Sequence, residues 1–143
     1  MTLRFWKKDE PPLPPGDEPS DIGWQRDERG YYQRLLRLRP QSSGLDGVGG
    51  VYVMWHRGVH PKWIYVGATD DLAQAIGDAR DSERVLSYEA YGCVYVTWAL
   101  VRKEYQSGVV AYLRDTLAPE IDDVFPADRI AMDATPIPVL PPG

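Results

Sequence analysis

Cysteine is nearly absent: Cys93 stands alone in 143 residues. No intramolecular disulfide can form, and a zinc site would have to be assembled from His56, His60 and scattered carboxylates. Long apolar runs are missing as well. Nothing approaches the roughly 18 residues that span a bilayer, and the opening MTLRFWKK passes into acids and prolines without the apolar stretch of about 7–15 residues that a secretory signal carries. A cytoplasmic protein with no membrane partner is the expectation. Positive charge is also in short supply, with 16 Lys and Arg against 21 Asp and Glu and a formal net charge of −5. That balance opposes nonspecific attraction to phosphate backbones, so nucleic acid is disfavoured as a partner.

What is present suits one globular domain with extensions. A content of 43% hydrophobic and 26% charged residues argues against a wholly disordered, collagenous or membrane-spanning chain. Proline marks the extensions. Residues 9–20, DEPPLPPGDEPS, hold five prolines and four acids, which offer little to bury and read as an extended linker. Residues 126–143 form a second proline-rich segment, where four prolines in TPIPVLPPG favour polyproline II. Within the N-terminal extension, 1–47, Tyr31, Tyr32, Leu35 and Leu36 recur at helical spacing before Pro40. They predict a short amphipathic helix at about 24–38, with the arginines at 26, 29, 34, 37 and 39 on its wet face.

The glycine-rich QSSGLDGVGG at 41–50 reads as a loop leading into a main domain at 48–125. There, Val51 to Trp55 and Trp63 to Val66 are β-branched and aromatic, and Gly58 and Pro61 lie between them, which predicts a hairpin. Thr69 or Asp70 can cap a helix built on Leu72, Ile76 and Ala79. The run CVYVTWALV at 93–101 reads as a central strand covered on both faces. Ser107 offers a cap for a last helix carrying Val109, Val110, Leu113 and Leu117, stopped by Pro119. The expected class is α+β, in the order β-β-α-β-α, with an antiparallel sheet flanked by helices.

Gly50-Val51-Tyr52, twelve intervening residues, then Tyr65-Val66-Gly67 resembles the paired signature of the GIY-YIG nuclease superfamily. Thr69, Leu72 and Pro119 fall where that family has similar residues, and the resemblance covers about 48–123. It implies a small antiparallel sheet with flanking helices. In active members it also implies two tyrosines at the reaction centre, an arginine on the first helix and a metal-binding glutamate on the last. Phosphodiester cleavage adds charge to nonbridging oxygens, so a fixed guanidinium and a metal held by a carboxylate are what the chemistry needs.

Those two groups are not in register here. About ten residues after Tyr65, where the arginine is expected, stand Gln74 and Ala75; the glutamate's position, counted back from Pro119, is the apolar Val110. Asp122 occupies the place of an asparagine that follows the proline in the family. Arg80 and Glu104 are the nearest substitutes, but a turn or more of helix moves a side chain by several ångströms at about 1.5 Å per residue, and a shift of about 1 Å can cost ~100-fold in rate. Within 48–123 the seven basic residues face eleven acidic ones, a net −4 that is opposite in sign to a nuclease groove.

The leading expectation is therefore a catalytically inactive GIY-YIG-like domain serving as a protein-interaction or scaffold module, with no cofactor. Trp55, Trp63, Tyr88 and Tyr91 are its candidate interface anchors, and the PPLPP run at 11–15 is either a tether or a ligand for an SH3-like groove. Two alternatives stand beside it. One is a Mg²⁺-dependent endonuclease using Tyr52, Tyr65, Arg80 and Glu104. The other is nucleic-acid binding without cleavage through the arginines of 26–39 with Arg57, Lys62 and Lys103. His56 and His60 sit in a hairpin loop rather than on a helix face, so they are not read as metal ligands.

Overall fold

Alternation along one strand divides the molecule. In β2 (Gly50–His56) every residue is buried, because Val51, Val53 and Trp55 point to one face of the sheet while Tyr52 and Met54 point to the other. The computed structural model describes residues 18–143; residues 9–17 of the linker, with PPLPP, lie outside the described residues. It is an α+β structure with a four-stranded antiparallel sheet and, among the described residues, three α-helices. Besides β2, the strands are β1 (Gln33–Arg34), β3 (Lys62–Thr69) and β4 (Val94–Ala99), in the order β1-β4-β2-β3. The helices are α1 (Leu72–Arg80), α2 (Glu83–Leu86) and α3 (Lys103–Leu117), with short 3₁₀ turns at Leu35–Arg37 and Ser87–Tyr91.

The predicted hairpin is β2 and β3, paired Tyr52 to Gly67 and Met54 to Tyr65. Beyond Met54 the register shifts, Trp55 opposing Trp63, so Ile64 is an extra bulged residue. Beneath the Tyr52 face lie Leu35, Leu72, Ile76 and Val85 from the first 3₁₀ turn, α1 and α2. Against the Val51 face lie Val109, Val110 and Leu113 of α3, together with Val139.

Two caps differ from expectation. Asp71, not Thr69 or Asp70, caps α1, its carboxylate accepting from the Gln74 amide; the Thr69 hydroxyl accepts from the Asp71 amide at 3.1 Å and donates to the Ala127 carbonyl at 2.9 Å. Helix α3 begins at Lys103, one turn before Ser107, and the Ser107 hydroxyl instead accepts from the Ala131 amide at 2.7 Å. At the other end, Ala118 takes the left-handed conformation (φ 48°) ahead of Pro119.

The helix expected at 24–38 is not formed. This stretch has no helical turn before Leu35: it reverses tightly between Asp27 and Tyr31, and β1 and the Leu35–Arg37 turn lie at its end. The reason is tertiary: the Gln25 amide donates to the Trp98 carbonyl at 2.9 Å, the Thr97 hydroxyl to the Gln25 carbonyl, and Gln33 and Arg34 pair with Val96 and Tyr95. Pairing with β4 satisfies the backbone that a helix would have satisfied internally.

The segment after α3 is part of the core past residue 125. Amides of Glu120, Ile121 and Arg129 donate to the carbonyls of Trp63, Ile64 and Ala68 along the outer edge of β3. Farther on, Ser20 bridges Val139, and Ile137 donates to Gly108 at 2.9 Å. A Cβ at Gly108 would lie 2.7 Å from the Thr135 carbonyl oxygen and from the Ile137 side chain. Gly108→Ala is therefore expected to lift residues 135–139 off α3, read as faster amide exchange at Ile137 and Leu140 while the β2 amides stay protected.

Candidate functional site

The slot between the two signature tyrosines is made by a glycine. Tyr52 and Tyr65 lie on the same face of the hairpin, their rings 5.7 Å apart. Gly67, directly across from Tyr52 and two residues beyond Tyr65, leaves that face bare between them. Asp128 fills the space. A Cβ at Gly67 would stand 2.1 Å from Asp128 Oδ2 and 2.5 Å from Tyr65 Cε2.

Both phenols point at this carboxylate. Tyr52 Oη donates to Oδ1 at 2.9 Å and lies 3.0 Å from Oδ2, and Tyr65 Oη donates to Oδ2. Tyr65 Oη in turn accepts the Phe125 amide at 3.0 Å, and the Phe125 ring stacks on Tyr65 at 3.9 Å. Both tyrosines are 0% exposed and Asp128 is 5% exposed. The carboxylate is placed by its own segment, which bridges Thr69 to Asp128 and binds Arg129 to Ala68.

Burial and the nearby carboxylate push both phenols well above their ordinary pKa, so neither is poised to lose a proton near neutrality. Asp128 is pushed up to about 6 by burial, against the opposing pull of the hydrogen bonds from Tyr65 and Tyr52. This is a closed hydrogen-bonded lock, and its donors are used up.

An arginine does reach this site, from α3 and not α1. The Arg114 guanidinium lies 5.2 Å from the Tyr65 ring centroid, and its Nε, Nη1 and Nη2 donate to the carbonyls of Val66, Asp122 and Asp123. Arg80 donates to the Leu36 carbonyl at 3.3 Å, and Glu104 pairs with Arg102 at 3.4 Å. Neither has a hydrogen bond to Tyr52 or Tyr65. The Mg²⁺ of an active nuclease does not fit these residues: the carboxylate at the tyrosines is spent on their hydroxyls, and among the described residues no three His, Cys, Asp or Glu side chains converge. The sequence reading missed Asp128 and Arg114, each placed by contacts far along the chain; the Phe125-Pro126 pair in a polar stretch was the available hint.

The interface candidates separate by burial. Trp55 is 8% exposed and sits among Tyr32, Trp63 and Tyr95, so it is core and not an anchor. Trp63 and Tyr88 are half-buried, and Tyr91 is 66% exposed. Tyr88 and Tyr91 both stack on the buried His56 ring, and with the exposed Val59 and His60 they line a groove of about 550 Å³ at the hairpin tip. Among the described residues no helix is long and apolar enough to cross a membrane. No family model, curated protein or solved structure matches the chain.

Proposed function

We propose that this chain is a catalytically inactive GIY-YIG-like domain working as a protein-interaction module. What carries the reading is the closure of the tyrosine pair: both hydroxyls are fully buried and committed to Asp128. A scissile phosphate would have to displace a carboxylate that is itself held by the main chain of 127–129. The missing arginine and glutamate, the acidic balance of the core and the exposed Tyr91 beside the half-buried Tyr88 point the same way.

The test is cleavage of labelled single-stranded, duplex and branched DNA, and of RNA, with Mg²⁺ or Mn²⁺. No substrate is expected to be cut. Cutting by the wild type that disappears in Tyr52→Phe and Arg80→Ala would overturn the reading in favour of a relocated active site.

A further inference from the structure

Four arginines separated in sequence converge on one cavity of about 350 Å³, at the end of the sheet where β1 and β4 meet the turn after β2. They are Arg26, Arg34, Arg37 and Arg57, in a chain whose net charge is −5. Like charges do not gather without cost, so their convergence asks for a counter-charge. Asp27, also in the lining, is one carboxylate against four guanidiniums and is turned to the amides of Arg29 and Tyr31, which its Oδ1 accepts.

Arg26 and Arg57 are held by ring faces, while Arg34, Arg37 and Arg57 are left without an ion pair among the described residues. Arg26 lies over the Tyr32 ring at 4.2 Å and donates to the Gly30 and Gly143 carbonyls and to Tyr32 Oη. Arg57 lies over the Tyr95 ring at 4.9 Å. Arg34, Arg37 and Arg57 have no ion pair or hydrogen bond from the side chain among the described residues, and Arg34 Nε is buried without an acceptor. A buried guanidinium N–H without a partner marks a place where an acceptor belongs. Aromatic faces that fix the cations beforehand reduce what a ligand must pay to order them.

We infer that this cavity is the site at which the module takes its partner, and that the partner presents a phosphorylated side chain. This assignment rests on the interaction-module reading. A phosphomonoester brings a charge near −2 and three acceptor oxygens, a match for the unpaired guanidiniums of Arg34, Arg37 and Arg57. Nucleic acid fits less well. The surrounding acidic chain repels an extended polyanion, and of the three lining aromatics Tyr95 is covered by Arg57 and Trp55 and Tyr32 by Arg26, which leaves Tyr31 as the one open face for a base. A single phosphoryl group meets only the local positive field.

The test uses the full chain and short Gly-Ala peptides with a central phosphotyrosine or phosphoserine, beside their unphosphorylated forms, phenyl phosphate, inorganic phosphate and a short single-stranded RNA. Binding is read by titration calorimetry and by the arginine side-chain Nε–Hε signals in NMR. At least one phosphopeptide is expected to bind about tenfold or more tightly than its unphosphorylated form, and to shift the Arg34 signal. Binding should strengthen from pH 5 to pH 7, as the phosphoryl group takes its second charge near pH ~6.

Arg37→Gln and Arg57→Gln, both exposed, should each weaken binding about tenfold with an unchanged unfolding midpoint; half-buried Arg34 is left in place so that folding is not at stake. Equal binding of phosphorylated and unphosphorylated peptides, no binding of either phosphopeptide, or a steeply salt-dependent preference for RNA would each overturn the assignment. These failures differ from failure of the module reading: metal-dependent cutting removes the module itself, whereas a non-cutting chain that ignores phosphopeptides removes only this site.

Discussion

Asp128→Ala is expected to destabilise the protein by roughly 3–5 kcal/mol, since it orphans two fully buried phenols and each unsatisfied buried polar group costs about 1–3 kcal/mol. Asp128→Asn keeps one carbonyl oxygen between the hydroxyls and should lose less than half as much. The check is the urea midpoint at unchanged slope. An alanine variant as stable as the wild type would mean that the tyrosines do not depend on this carboxylate.

The same group sets an unusual response to acid. Burial raises Asp128 from 3.8 to about 6, so between those values the folded protein holds a proton that the unfolded chain has released. Stability from this source is full below pH ~4 and is lost as pH rises through about 6, a linkage on the order of 3 kcal/mol. The wild type should thus gain stability between pH 7 and pH 5, and Asp128→Asn should lack that gain. Equal pH profiles for the two proteins would count against a raised Asp128.

Gly67→Ala should be nearly as damaging, at about 3 kcal/mol or more, because the new methyl meets Asp128 Oδ2 at 2.1 Å and the Tyr65 ring at 2.5 Å, both pinned by hydrogen bonds. Gly77→Ala, in the middle of α1 with nothing within 4 Å of its added Cβ, should instead stabilise by about 0.5–1 kcal/mol. Pairing Gly67→Ala with Asp128→Ala should cost less than the sum of the two, since the carboxylate that clashes is gone; strict additivity in a double-mutant cycle would contradict the shared slot. The glycine that closes the second tripeptide is thus required by packing, whether or not any phosphodiester is ever cut.

The strands of the hairpin, β4, α1 and α3 were legible because each carries its own local signal: β-branched and aromatic runs in the strands, the i, i+4 face of Leu72 and Ile76, and the run of Val109, Val110 and Leu113; the short α2 carries no such signal and was not expected. What was not legible depended on distant partners. Tyr31 to Leu38 has helical spacing, yet β4 offers it an unpaired edge, and pairing there wins over local propensity. Residues 126–130 read as proline-rich tail because no local pattern reveals that the β3 edge awaits them. Asp128 was missed for the same reason: its partners Tyr52 and Tyr65 lie 76 and 63 residues away. The arginines of 26–39 read as a wet helix face, or with Arg57 as a nucleic-acid contact, and only the non-helical path of 24–34 gathers Arg26, Arg34, Arg37 and Arg57 around one cavity.

That run of residues along β3 also bears on self-association. An open β-edge is a template on which another chain can add a strand, and it is where sheet proteins begin to aggregate. Here Glu120, Ile121 and Arg129 occupy the outer hydrogen bonds of β3, while β1 offers only two residues on the other side. The long edge is spoken for within the chain, so self-assembly by strand addition is blocked there, and on the module reading proposed above a partner would be met by side chains.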